Sequence, residues 1–184
     1  MKVAVYCSSR GDLGERVEEA ARIVARSIAE CGAELIYGGV DAGLMHVVAQ
    51  AAHDAGARIT GVVPEVFRNR ADSLCDELIL TSGLSERKGI MIDNAGMFVV
   101  LPGGLGTIDE WISTLSDIMV RETKDPAADR PILVLNLDGM YDGMARQLSE
   151  TASSVYARGK RVDRSLLFPD ARSLAARLRQ LANS

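Results

Sequence analysis

Short, nearly unbroken apolar runs alternate with longer stretches of helical periodicity along the whole chain. The runs Val3–Cys7, Glu34–Tyr37, Arg58–Val63, Glu77–Leu80, Met97–Leu101 and Ile132–Leu135, with a short last one at Leu166–Phe168, have the length and composition of strands. Strands that are apolar on successive residues are covered on both faces, as in a parallel sheet. Between them the spacing predicts helices over Leu13–Cys31, Leu44–Ala55, Ser85–Ala95, Thr107–Val120, Tyr141–Ala157 and Asp170–Ala182. The first carries Val17, Ala20, Ala21, Val24 and Ile28 at helical spacing and stops at Gly32. Joined by right-handed crossovers, this alternation predicts a doubly wound, Rossmann-like α/β fold: a parallel sheet with helices on both faces. No linker, repeat or low-complexity segment interrupts it, so residues 1–184 read as one domain of about six to seven strands.

Composition removes several function classes. A net charge of -4 gives no basic footprint for nucleic acid. No apolar run approaches the ~20 residues that span a bilayer. The N-terminus opens directly on a strand pattern with no leader-like segment, so a cytoplasmic location is expected. Cys7, Cys31 and Cys75 are widely spaced and form no C-x-x-C pair, which argues against a disulfide framework or a zinc site. His46 and His53 fall on one predicted helix ~10 Å apart along its axis, too far to share an ion. They read as isolated, and neither a metal nor a cofactor is expected.

Three strand ends carry small or glycine-rich turns: "CSSRGD" (Cys7–Asp12), "YGGVDAGLM" (Tyr37–Met45) and "PGGLGT" (Pro102–Thr107). Ligands in open parallel sheets sit beyond the carboxyl ends of the strands, so the three turns are expected to line one crevice. Ser8, Ser9, Gly38 and Gly39 come from the first two. Gly103, Gly104, Leu105, Gly106 and Thr107 make the third, where glycines admit close approach and the following helix offers unpaired N–H groups to an anion. The spacing is neither G-x-G-x-x-G nor a P-loop, so a dinucleotide or ATPase assignment lacks support.

Asp109 and Glu110 follow at once. They point about 100° apart around a helix and cannot both face one ligand atom. A carboxylate in a first helical turn commonly offsets the dipole, which is the plain reading of Asp109. An acid beside a bound phosphate must otherwise serve another part of the ligand, and the ribose of a 5′-nucleotide is such a part. A second cluster, "SERKG" (Ser85–Gly89), places Ser85 as an N-cap and Arg87 and Lys88 near a positive helix end, a conflict that a bound anion would relieve. The Thr107–Val120 helix carries Ile108, Trp111, Ile112, Leu115, Ile118 and Met119, a stripe wider than one core seam needs.

"SERKG" with "LPGGLGTIDE" resembles the LONELY GUY (LOG) family, formerly described as lysine decarboxylase-like. Its signature P-G-G-x-G-T-x-x-E with an upstream E-R-K is complete here in Pro102, Gly103, Gly104, Gly106, Thr107 and Glu110, and in Glu86, Arg87 and Lys88. "YGGVDAGLM" is similar to the family's second glycine segment, although Val40 and His46 stand where the pattern has glycine. The Arg121–Arg130 loop is longer than the pattern, and the C-terminal third, including "ARGKRVD", departs from it.

The resemblance implies a phosphoribohydrolase that cleaves cytokinin riboside 5′-monophosphates, or AMP, into free base and ribose 5-phosphate. It implies Arg87 and Glu110 as catalytic residues, Lys88 in the binding site, a phosphate on the glycine loop through Thr107, and a homodimer, which the Thr107–Val120 stripe suits. A second reading is a non-catalytic nucleotide or cofactor carrier on the same fold, which needs the loop but not the Arg87/Glu110 pair. A decarboxylase would need Lys88 as a Schiff-base lysine on pyridoxal phosphate, and nothing else in the sequence marks such a site.

Overall fold

The computed structural model describes residues 1–155 and 164–183. Seven strands form one parallel sheet: β1 (Lys2–Tyr6), β2 (Glu34–Tyr37), β3 (Ile59–Pro64), β4 (Glu77–Thr81), β5 (Met97–Val100), β6 (Ile132–Leu135) and β7 (Leu166–Phe168). Their spatial order is β4-β3-β2-β1-β5-β6-β7. The chain winds outward from β1 to β4 and then returns to lay β5 on the other side of β1, with Val3 opposite Met97 and Tyr6 opposite Val100. Strand order therefore reverses between β1 and β5, the place where such sheets bind ligands.

Alternating side chains of the central strands feed two cores. Val3, Val5 and Cys7 of the first strand segment, with Met97 and Val99, pack beneath α1 (Glu15–Glu30), α2 (Gly43–Asp54) and α6 (Ala171–Ala182). Ala4, Tyr6, Phe98 and Val100 pack beneath α3 (Leu84–Asn94), α4 (Leu105–Arg121) and α5 (Asp142–Ala152). The sequence reads as apolar throughout these strands because both faces are covered. Cys7 is buried, and burial pushes its thiol pKa up. Among the described residues no helix is long and apolar enough to cross a membrane.

Several helix ends differ from expectation, α1 among them, which begins at Glu15 rather than Leu13. Ser85 does not cap α3: Gly83 holds the cap position without a side-chain bond, and Ser85 lies inside the helix. Glu86 instead reaches back to accept from Ser82 N (2.7 Å) and Ser82 Oγ (2.6 Å). The α4 helix begins at Leu105, so Leu105 and Gly106 belong to its first turn rather than to the loop, and that turn holds no acid. The α5 helix ends at Ala152, where the Ser153 and Ser154 hydroxyls turn back onto the carbonyls of Ser149 and Thr151. Residues 156–157 of its expected span, and the "ARGKRVD" segment, lie outside the described residues.

Candidate active site

The β1–β5 reversal opens into a cavity of about 300 Å³ lined by Ser8, Ser9, Met45, Arg87, Thr107 and Glu110, among others. A smaller one of about 140 Å³ adjoins it, sharing Ser9, Met45, Leu84 and Arg87 and adding Gly38, Val40, Pro64, Phe67 and Arg70. Together they bring the three predicted turns to one crevice. A larger, open groove of about 610 Å³ between α1 and the start of α6 gathers Glu15, Arg16, Glu19, Asp170 and Arg172 around an apolar floor. It has none of the glycine turns, and its capping acid Asp170 is already engaged by Ser173 N.

Glu110 sits in the second turn of α4, 5% exposed, and Arg87 of α3 is 8% exposed. Arg87 Nη1 donates to Glu110 Oε1 at 2.6 Å, and Arg87 Nε donates to the Val62 carbonyl of β3 at 2.9 Å. The guanidinium is thus fixed to the sheet on one side and to the carboxylate on the other. Gly38 makes room for it, since a Cβ there would collide with Arg87 Nη2. Glu110 is held from behind as well. Thr114 Oγ1 donates to the Glu110 carbonyl (2.8 Å) and lies 2.8 Å from the Tyr6 hydroxyl, which links the helix turn to β1. Burial raises the Glu110 pKa, and the nearby Arg87 charge and hydrogen bond oppose that rise. Oε1 faces Arg87, and among the described residues no hydrogen bond is made to Oε2.

Around this pair the glycine turn ends in an open helix start. Gly104 occupies the N-cap of α4 with extended backbone, and no side chain caps it. The first bond back into the turn is from Ile108 N to the Gly104 carbonyl, so the amides of Leu105, Gly106 and Thr107 have no partner within the helix. A Cβ at Gly104 or Gly106 would meet no protein atom within 4 Å, so packing inside the protein does not explain these glycines. Gly103 is different: a Cβ there would collide with the Thr107 side chain, which folds over it. The turn is anchored to β1 by Ser8 N donating to the Pro102 carbonyl (3.2 Å) and from below by the Tyr141 hydroxyl on the Leu101 carbonyl (2.8 Å).

Lys88 and Asp109 form a second pair outside the first. Lys88 Nζ donates to both Asp109 oxygens at 2.8 Å and to Ser113 Oγ at 3.0 Å. Asp109 therefore answers Lys88, and the expectation that it offsets the helix dipole is corrected. The electrostatic conflict read into "SERKG" is relieved by Glu110 and Asp109 themselves, without recourse to a bound anion. Lys88 Nζ, the atom a Schiff base would use, is ion-paired with Asp109.

Ser8, Ser9, Lys88, Gly104, Gly106, Thr107 and Asp109 line the larger cavity, and Gly38 lines the smaller. Gly39, with φ 67°, packs against Val63 and Gly61 and lines neither. Leu105, 83% exposed, points to neither. Sequence reasoning missed Arg10, Met45 and Leu84, and with them Pro64, Phe67 and Arg70 of the smaller cavity. Arg10 and Met45 lay within the quoted turns and Leu84 just ahead of "SERKG", but nothing in their local pattern marked them.

The family model described as possible lysine decarboxylase matches residues 45–178. The chain is 37% identical to the cytokinin riboside 5′-monophosphate phosphoribohydrolase of Mycobacterium tuberculosis, over 88% of this chain and 84% of that protein. It is 35% identical to the protein of the same name from Mycobacterium marinum, over 90% and 86%. The chain belongs to the LONELY GUY family. The molybdenum cofactor carrier protein of Chlamydomonas reinhardtii shares the fold, with a TM-score of 0.75 and 21% identity over 100% of this chain and 98% of that one. A LONELY GUY fold can thus be laid over a carrier along its whole length, and what separates the two readings is the chemistry of the cavity.

Proposed function

We propose that this chain is a phosphoribohydrolase that cleaves the N-glycosidic bond of adenosine 5′-monophosphates, plain or N6-modified, to free base and ribose 5-phosphate. The observation that carries the proposal is the buried Arg87–Glu110 pair beside the uncapped first turn of α4. The phosphate binds the amides of Leu105, Gly106 and Thr107 at the positive end of the helix, with the Ser8 and Ser9 hydroxyls nearby. Glu110 then lies one helical turn further into the cavity, where the ribose follows the phosphate. The base extends toward the smaller, more apolar cavity of Met45, Phe67 and Leu84.

As the C1′–N bond breaks, positive charge grows on the sugar, and the Glu110 carboxylate stabilises it. Oε2 orients the attacking water, whose oxygen bonds to C1′ while a proton passes to the departing base. Arg87 holds Glu110 in place and contributes positive charge beside the nucleotide. A guanidinium holds its protons too firmly to serve as the acid. A carrier needs the open helix turn but gains nothing from a buried carboxylate beneath the sugar. That carboxylate is why the hydrolase reading is preferred. We further propose that the enzyme is a homodimer through α4, whose Ile108, Ile112 and Met119 remain partly exposed after Trp111, Leu115 and Ile118 have entered the core.

The reading is tested by incubation with AMP, isopentenyladenosine monophosphate and the matching nucleosides, followed by chromatography for free base. Free base is expected from the monophosphates and little from the nucleosides. Equal cleavage of nucleosides would remove the phosphate site from the account, and no cleavage of any of them would leave the carrier.

A further inference from the structure

His46 is not isolated. It lies in the first turn of α2, between Asp41 of the β2–α2 loop and Asp72 of the segment leading into β4. His46 Nδ1 is 3.1 Å from Asp41 Oδ1 and 3.1 Å from Asp72 Oδ2, and all three atoms lie within 4.8 Å of one another. Two ligand atoms ~2.1 Å from one ion, in neighbouring positions of its shell, are about 3.0–3.4 Å apart. The spacing around Nδ1 therefore suits a shared cation.

Charge points the same way. The Asp72 side chain is 1% exposed, its Oδ1 accepts from Leu74 N at 3.1 Å, and its Oδ2 faces His46. The Tyr37 hydroxyl is its other hydrogen-bonding neighbour, and among the described residues no lysine or arginine pairs with it, so the charge that a buried carboxylate calls for falls to His46 or to an ion held with it. One imidazole nitrogen carries a single proton and cannot bond fully to two carboxylates at once. A metal ion satisfies both, with the neutral ring giving its lone pair. The ligands are also fixed in advance by backbone bonds, from Asp41 N to the Arg70 carbonyl and from Asp72 N to the Gly39 carbonyl, each 2.8 Å.

We propose that Asp41, His46 and Asp72 bind one divalent transition-metal ion of the zinc class, with water completing its shell. One imidazole with two carboxylates favours such an ion over magnesium or calcium, which prefer oxygen alone. The site is separate from the Arg87–Glu110 pair. It joins the β2–α2 loop bearing Val40 and the first turn of α2 bearing Met45 to the segment bearing Phe67 and Arg70, and so braces the wall of the smaller cavity. The proposal does not depend on hydrolase activity. It replaces the expectation of no metal, which weighed His46 only against His53.

Calorimetric titration of the whole chain with zinc chloride at neutral pH is expected to show one ion per chain, with magnesium chloride far weaker. His46→Ala should weaken zinc binding by ~10-fold or more, while His53→Ala, at the chain's other histidine, leaves it unchanged. Zinc should raise the melting temperature of the wild type and not of His46→Ala. If that variant fails to fold, imidazole NMR of the wild type decides, because zinc must move the His46 ring signals and spare those of His53. No zinc uptake, equal uptake by wild type and His46→Ala, or a shift at His53 alone would overturn the proposal.

Discussion

Arg87 and Glu110 are 23 residues apart in sequence and share a 2.6 Å hydrogen bond. Lys88 and Asp109 repeat the arrangement one step outward, so two adjacent cations on α3 meet two adjacent acids on α4. The pairs differ in burial, and that difference sets their energetics. Removing one partner of a buried pair leaves an uncompensated charge, so Arg87→Ala should cost about 3–5 kcal/mol in urea unfolding. The outer pair, with Asp109 half exposed, should cost about 1 kcal/mol or less when Lys88→Ala breaks it. A similar loss for both variants would contradict the inner–outer distinction. The pH dependence follows from Glu110. In the proposed reaction its carboxylate is the active form, and burial raises its pKa, so activity should be lost on acidification at a higher pH than an ordinary glutamate, with its pKa of about 4.3, would give. An acid limb of kcat/KM at or below that value would count against Glu110 as the working carboxylate. The residue types were legible in the sequence. That each acid already had a cation was not, because side-chain pairing between two helices leaves no local signature.

Among the elements, α4 joins the proposed phosphate turn to Glu110. Gly103 lies under the Thr107 side chain, so Gly103→Ala should push that residue and the first turn out of place. The expected result is a rise of ~10-fold or more in KM for the monophosphate, alongside the ~1–3 kcal/mol of stability that overpacking against buried Thr107 costs. An unchanged KM would mean that this turn does not carry the phosphate. Strands were legible almost to the residue, β2, β6 and β7 fully so, because their apolar runs stop at Gly38, Asn136 and Pro169. Helix starts were harder to place. Gly104, Leu105 and Gly106 look like loop by composition, yet the helix begins at Leu105, ahead of Thr107, its first buried residue. The 3-10 turn Glu65–Arg70 was invisible, since its residues are all exposed and carry no apolar period.

For the molecule as a whole, the order β4-β3-β2-β1-β5-β6-β7 puts the ends of β1 and β5 side by side, and the site follows from that reversal. The alternation of strands and helices made the fold class legible. The partners of His46 were not, because Asp72 joins it from 26 residues away. The dimer belongs to this scale too. Ile112→Lys should convert a dimer to monomer in light scattering while leaving the circular dichroism spectrum unchanged, and a wild-type chain that is already monomeric would remove the proposed interface. The central claim is that one buried carboxylate performs the cleavage while the uncapped helix start holds the phosphate. It is tested most directly by single-turnover cleavage and nucleotide binding in Glu110→Gln, measured on the same preparation. The account predicts that cleavage falls by ~10³-fold or more while the monophosphate still binds within a few-fold of wild type. Cleavage near the wild-type rate in that variant would contradict it.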